Sequence, residues 1–358
     1  MKTIFLYSAI TTILIAQAFG FGYYDSVTKG TPVPGITPST TALGSVRALG
    51  VTEAASIFYN PAQTAFLSAD IQLAGSTIQW TERVIQTDIE KTVRTYMTND
   101  NGTAAMIFPA GPFVFGAGIA KIGEFGYEGS HTVYDDPDDP ELGVAVLYAE
   151  GSQWETLAGV SAVITGRLSA GFSGGVRMVN ADYIYEFNSH QFLIPDSSAT
   201  WNVEDKEFAW HAGIALDGDM FKSGISYSSK TDYMDDVIAV GVSALAPHLK
   251  YTTVGFEAEV ASPLDKNQFL GNLFVIMPLT EQMNILTSVS FDDNRVANRA
   301  GLGFGLGFDL QLDRFSVGCG LLNRFKARKN TAFPNEQSDR VDDSSTMLTL
   351  GFSYLLGN

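Results

Sequence analysis

Between Gly301 and Leu310 the chain alternates bulky apolar residues with none at all. Leu302, Phe304, Leu306, Phe308 and Leu310 interleave with Gly301, Gly303, Gly305 and Gly307. Successive side chains of a β-strand point to opposite faces. One face of this strand is therefore broad and greasy, and the other is close to bare backbone. A soluble sheet buries its apolar face under a second layer. A transmembrane barrel turns that face to lipid and keeps small or polar groups inside. What the chain can fold into depends on which arrangement the remaining segments repeat.

The first eighteen residues read as an export signal. Lys2 supplies the positive start, Ile4 to Ile15 the apolar stretch, and Ala16-Gln17-Ala18 a cleavage pattern with cutting before Phe19. No later run reaches the ~18 consecutive apolar residues of a membrane helix. A single cysteine, Cys319, excludes an internal disulfide, and it keeps phase with Phe315, Val317 and Leu321 as a small apolar residue. The net charge of −17, which becomes −18 once Lys2 is removed, argues against a nucleic-acid partner. Acidic residues gather at Asp135, Asp136, Asp138, Asp139 and Glu141, at Asp235 and Asp236, at Asp292 and Asp293, and at Asp342 and Asp343. Each group is expected between strands, as solvated loop or as a divalent-cation contact beside lipid headgroups. The spacing does not match an EF-hand.

From Asp70 onward the period-two pattern recurs in about fourteen segments. They lie near 70–80, 102–110, 112–122, 152–164, 167–186, 206–217, 219–229, 236–244, 250–261, 268–278, 282–291, 298–310, 313–326 and 345–356. Several repeat the same division of faces: Phe113, Phe115 and Ile119 oppose Gly116 and Gly118, and Leu348, Leu350 and Phe352 oppose Thr349 and Gly351. Tight connections such as Thr165-Gly166-Arg167 and Leu312-Asp313-Arg314 fall on one side of the ladder. Long segments near 81–101, 123–151, 187–205 and 327–344 fall on the other. A β-sandwich or solenoid gives no reason for that parity, whereas an outer-membrane barrel has short periplasmic turns and long outer loops. The expected fold is all-β: a transmembrane antiparallel barrel of about 14 strands over residues 70–358, with a plug or hatch segment over 19–69.

Residues 19–69 lack the strand pattern. Thr31 to Thr40 is rich in Pro, Thr and Gly and is expected to be irregular; small residues then dominate Ala42 to Gly50 and Glu53 to Leu67, which suggests a short helix or compact turn. The element Ala54-Ala55-Ser56-Ile57-Phe58-Tyr59-Asn60-Pro61-Ala62, with Gly44, Arg47 and Gly50 in its lead-in, resembles the N-terminal region of the FadL/TodX family of outer-membrane transporters for hydrophobic compounds. PorV-like barrels of type IX secretion share a similar element. Gln63 stands where the family has glycine, and the chain ends in Gly357-Asn358 rather than an aromatic residue. The resemblance implies that this segment fills and gates the lumen, through Gly44, Arg47, Gly50, Phe58, Tyr59, Asn60, Pro61 and Ala62. Each of these residues also has a plain packing reading.

Catalytic and cofactor signatures are missing. His131, His190, His211 and His248 have no metal-ligand spacing, and there is no G-x-S-x-G elbow, P-loop or HExxH. His211 is the one histidine placed for a hydrolase pair on neighbouring strands. Neither an enzyme nor a cofactor is expected. Inward charges are few: Lys121, Arg177, Lys222, Glu257, Glu259 and Arg324. They are expected to pair with one another or with the plug, with Arg177 and Lys222 the better candidates for a ligand carboxylate. The expected role is passive uptake of hydrophobic molecules, fatty acids or hydrocarbons, at the bacterial outer membrane, with its lipids as neighbours. The alternatives are a PorV-like scaffold bound to secretion-system components and a general porin.

Overall fold

The computed structural model describes residues 30–49, 52–86, 89–134, 141–190, 195–249, 251–262, 268–294, 299–328 and 340–356. The export signal, Gly50 and the acidic run at 135–140 lie outside the described residues. A short strand, β1 (Thr31–Pro32), and a one-turn helix, α1 (Pro38–Ala42), come first. Two 3-10 turns follow, Ala54–Phe58 and Pro61–Phe66. The barrel strands are β2 (Asp70–Gln86), β3 (Ile89–Ala110), β4 (Phe113–Glu124), β6 (Glu141–Thr165), β7 (Leu168–Ser189), β8 (Ser197–Asp217) and β9 (Phe221–Ser228). They continue with β10 (Val237–Ala246), β11 (Thr252–Ala261), β12 (Gln268–Pro278), β13 (Met283–Asn294), β14 (Arg299–Leu312), β15 (Phe315–Arg328) and β16 (Arg340–Leu355). β5 (Tyr127–Tyr134) resumes the path of β4 after a break, and both pair with β6. All neighbours are antiparallel, and β16 pairs with β2 from Arg340–Ile85 to Leu355–Asp70. The result is a closed barrel of 14 strands.

The opening strand behaves as its alternation requires. Leu302, Phe304 and Leu306 are about half exposed on the outside, while Gly303, Gly305 and Gly307 are buried on the inside. The same outward belt includes Phe172, Ile225, Phe256 and Leu350. Among the described residues no helix is long and apolar enough to cross a membrane. Tight turns on one rim use left-handed backbone at Gly111, Gly166 and Asp313.

Strand extents depart from the sequence reading. The stretches 81–101, 123–151, 187–205 and 327–344, expected as loops, are largely strand among their described residues. The reason is visible in their faces. Above the apolar belt both sides of a strand can be polar, so the alternation fades while the hydrogen-bond ladder continues. Glu82 and Arg94, for example, face each other across β2 and β3 in a buried pair at 2.7 Å. Asp292, Asp293, Asp342 and Asp343 likewise belong to strands rather than to loops. Asp292 and Asp343 are buried, and Lys326 pairs with Asp292.

The described residues between 30 and 67 lie against the inner face of the wall. Their apolar side chains supply much of the core: Val33, Ile36, Ala54, Ile57 and Phe58 join Ile78, Ile107 and Leu157 of the wall in one cluster. Ala42, Leu43, Val46 and Leu49 join Phe274 and Leu286 in another.

Candidate functional site: the occupied lumen and an open seam

The N-terminal segment is built around two small knots. Thr37 caps α1 in a reciprocal box with Thr40, and Pro38 starts the helix, where its missing N–H costs nothing. Glu53 then collects three donors, from Thr37 Oγ1 at 2.6 Å, Ser39 Oγ at 2.7 Å and Gln72 Nε2 at 2.7 Å. Burial pushes the Glu53 carboxyl above its ordinary pKa, and those three bonds oppose the rise. The second knot is Asn60. Its Oδ1 accepts from Ala62 N at 3.2 Å, capping the turn that Pro61 begins. Its Nδ2 donates to Ala48 O at 2.9 Å, and Gln63 Nε2 donates to the same carbonyl at 2.7 Å. Asn60, Pro61 and Ala62 therefore tie the two halves of the segment together. Gln63, which stands where the resembled family has glycine, is part of that tie.

Glycines in the wall make room for it. A Cβ at Gly213 would strike the Asn60 side chain, and one at Gly224 would strike the Ala48 carbonyl. Gly305 and Gly320 admit the backbone of α1 in the same way, at Ala42 and Pro38. Polar side chains of the wall then grip carbonyls of the segment. Ser288 donates to Ala42 O at 2.8 Å, Ser169 to Ala62 O at 2.8 Å and Ser173 to Ile57 O at 2.6 Å. Thr41 meets Thr349 at 2.8 Å, and Thr64 meets Ser161 at 2.8 Å.

Charge holds the middle. The Arg47 guanidinium pairs with Glu259 at 3.1 Å and lies 5.6 Å from the centre of the Tyr59 ring. Glu257 accepts from the backbone N–H groups of Arg47 and of Leu49, the latter at 2.8 Å. Arg324 donates to Gly44 O at 3.0 Å and to Ser45 Oγ at 2.9 Å, where both residues have positive φ. Tyr59 accepts from Ile36 N at 3.2 Å, and burial pushes its phenol pKa up.

Gly44, Arg47, Phe58, Tyr59, Asn60, Pro61 and Ala62 all lie inside the barrel, so the structure brings together every sequence-selected residue of the segment that it describes. The two proposed carboxylate contacts are already engaged elsewhere. Arg177 is buried, with Glu155 at 2.8 Å and Thr231 at 2.8 Å. Lys222 pairs with Asp217 at 2.8 Å at the tight-turn rim, half exposed. His211 stands between Ser228, at 2.8 Å from Nδ1, and Glu155, at 3.1 Å from Nε2. That row resembles a hydrolase relay in order only. Arg177 occupies the other oxygen of Glu155, and the row bonds β6, β7, β8 and β9 together. Sequence reasoning missed Glu53, Gln72 and Gln63. It had marked Glu257 and Glu259 as inward charges without assigning their partners.

One stretch of the wall is not closed by its own ladder. β3 pairs with β4 from Ala110–Phe113 to Thr103–Ala120 and no further. From Ala120 to Tyr127 every residue is buried, although strand alternation would expose half of them. The upper part of β4 therefore parts from β3 and bends at a bulge between Lys121 and Gly123, while it stays paired with β6 as far as Glu124–Ser152. β1 covers its free edge, pairing Thr31 with Glu124 and Pro32 with Gly123, and Val33 N donates to Ile122 O at 2.9 Å. Lys121, at the bend, bonds Asp100 and Glu124, each at 2.6 Å. Phe125 ends the bent stretch edge-on to Tyr233 from the β9–β10 connection.

A closed barrel of this strand number, with its N-terminal stretch inside and one strand parted from its neighbour, can be set against solved structures. No protein-family model and no curated protein matches the sequence. Solved structures do. A Pseudomonas aeruginosa FadL homologue superposes with a TM-score of 0.64 at 13% identity, covering 92% of this chain and 100% of that one. The toluene transporter TodX of P. putida superposes at 0.67 and 12% identity, covering 91% of this chain and 99% of that one. The fold is that of the FadL and TodX barrels. At this identity the likeness is one of architecture. It extends over nearly the whole chain.

Proposed function

We propose that this chain is a passive outer-membrane channel for small hydrophobic molecules, and that residues 30–67 are its gate. The observation that carries the reading is the way the segment is held. It fills a glycine-walled lumen through two small apolar clusters, separate hydrogen bonds and, among the described residues, the ion pair Arg47–Glu259, with only Thr31–Pro32 joined to the sheet as strand. Such a contact set can be released piece by piece, since each neutral hydrogen bond contributes only about 1 kcal/mol net. The bend in β4 supports a route sideways as well as through. The stretch of wall next to it is closed by β1, which belongs to the same segment. Movement of the segment would then free both the lumen and the edge of β4. The scarcity of unpaired inward charge among the described residues favours an apolar cargo over ions. The fold shared with a toluene transporter and a FadL homologue supports aromatic hydrocarbons or fatty acids as the substrate class.

The test is uptake into vesicles holding the purified protein, with labelled toluene and labelled long-chain fatty acid in parallel. The intact chain should admit one of them at a saturable rate. A chain lacking residues 42–67 should lose saturation and conduct small ions. Equal rates for both proteins, or for protein-free vesicles, would refute the proposal.

A further inference from the structure

The glycines of the barrel strands fall into two groups. At nearly all of them a neighbouring atom lies 3.2 Å or closer to where a Cβ would sit, so a side chain there would crowd its surroundings. Gly75 and Gly102 differ. They face each other across β2 and β3, and their nearest obstacles are at 3.8 Å and 3.7 Å, ordinary contact distances. Neither has a positive φ. Nothing in the protein requires them to be bare.

What their bareness creates is a groove on the outer face of the wall, with a volume of about 550 Å³. Leu73, Ile119, Leu350 and Phe352 form its sides, within the exposed apolar belt. Trp154 of β6 leans over its head and is the atom group nearest to a Cβ at Gly102. Its indole N–H donates to Ser152 Oγ at 3.1 Å, which leaves the ring's apolar body for the groove. The volume lies within the roughly 300–1,000 Å³ of ordinary ligand sites. The groove's floor is also the outer side of a narrow cleft lined by Val33, Ile36 and Lys121. At Gly75 and Gly102 only backbone separates the two, beside the end of the β3–β4 ladder.

We propose that this groove holds one acyl chain of a membrane lipid, a site that rests on the barrel lying in a bilayer. The occupant follows from the surroundings. The groove opens onto the belt that meets lipid, its sides are apolar, and bilayer chains are the most concentrated apolar molecules there. A seated chain would cover Gly75 and Gly102 from outside, opposite Val33 and Ile36 of the N-terminal segment.

Two single-tryptophan proteins test it in vesicles containing phosphatidylcholine with brominated chains. One keeps Trp154 (Trp80→Phe, Trp201→Phe, Trp210→Phe). The other keeps Trp210, which packs on the outward Phe172 (Trp80→Phe, Trp154→Phe, Trp201→Phe). Both should be quenched. Filling the groove with Gly75→Val and Gly102→Val should cut quenching of Trp154 several-fold and leave Trp210 unchanged. Unchanged Trp154 quenching would overturn the groove while leaving the membrane barrel intact; an unquenched Trp210 would overturn the barrel reading itself. Relief of Trp154 quenching by added toluene or hexadecane would assign the groove to the cargo instead of the lipid. For the otherwise unaltered chain, native mass spectrometry should count one retained lipid fewer in the double valine variant, and equal counts would overturn the site.

Discussion

Replacing Gly305 with valine should open the lumen without opening the barrel. Gly305 sits on the inner face of β14, and a Cβ there would meet the carbonyl oxygen of Ala42 and the hydroxyl of Ser288. The obstacle is backbone, so no rotamer change relieves it, and the C-terminal end of α1 must withdraw. Withdrawal breaks the Ser288–Ala42 bond and the Thr41–Thr349 bond, each worth about 1 kcal/mol. It also lifts Leu43 from Phe274 and Leu286, for about 1.5–3 kcal/mol more. The seated state loses about 3.5–5 kcal/mol, which at 1.4 kcal/mol per factor of ten raises the unseated fraction by roughly 300- to 4,000-fold. The strand itself gains a β-favouring residue, so the β13–β14–β15 ladder should persist. In planar bilayers the variant should show frequent ion-conducting openings that the parent lacks, while its heat-modifiable migration stays the same. Leu306→Val, on the outer face of the same strand, is the control and should conduct like the parent. A Gly305→Val barrel that stays closed and resists protease within residues 42–67 would refute the claim that bare wall seats the segment.

Other expectations follow from the same contacts. Asn60→Ala removes a cap and a bond to Ala48 and should weaken seating by about 1–3 kcal/mol, read as faster proteolysis of the segment. Glu53 has a raised pKa when seated, so its contribution is full below the ordinary glutamate value and is lost as pH rises through the raised one. Openings should therefore be rarer at mildly acidic pH than at neutral pH, and Glu53→Gln should flatten that dependence. Arg177→Ala leaves the buried Glu155 carboxylate with His211 alone and should cost about 3 kcal/mol, seen as a lower unfolding midpoint in urea. Val33→Pro deletes the donor to Ile122 O and should speed hydrogen exchange along the bent part of β4, with no change at β14.

How much was legible in the sequence depended on whether a residue's environment was local. Leu302 to Leu310 declared both faces of β14 because lipid on one side and a packed backbone on the other leave a period-two trace. The same rule failed above the belt. Thr81, Glu82 and Arg94 are strand residues with polar surroundings on each side, so they read as loop. The Asn60-Pro61-Ala62 element was visible because its cap and proline act over a few residues. Its partners were not. Ser169 meets Ala62 across 107 positions and Arg324 meets Gly44 across 280, and no pattern in one sequence encodes such a pairing. The bend in β4 left a faint mark in Gly123, Gly126 and Gly129, which interrupt an otherwise bulky run.

The enclosed segment also constrains how the molecule can be made. α1 touches β13, β14, β15 and β16, while the turn at Pro61–Phe66 touches β4, β6, β7 and β8. These strands lie around the circumference, and β16 reaches β2 only when the last residues of the chain arrive. A segment near the N-terminus is therefore seated by strands from both halves of the sequence, and its seat is complete only when β16 has met β2. Since Gly305, Gly320 and Gly224 have no side chains of their own, the space beside them in the finished cylinder is filled by a part of the chain synthesised long before them.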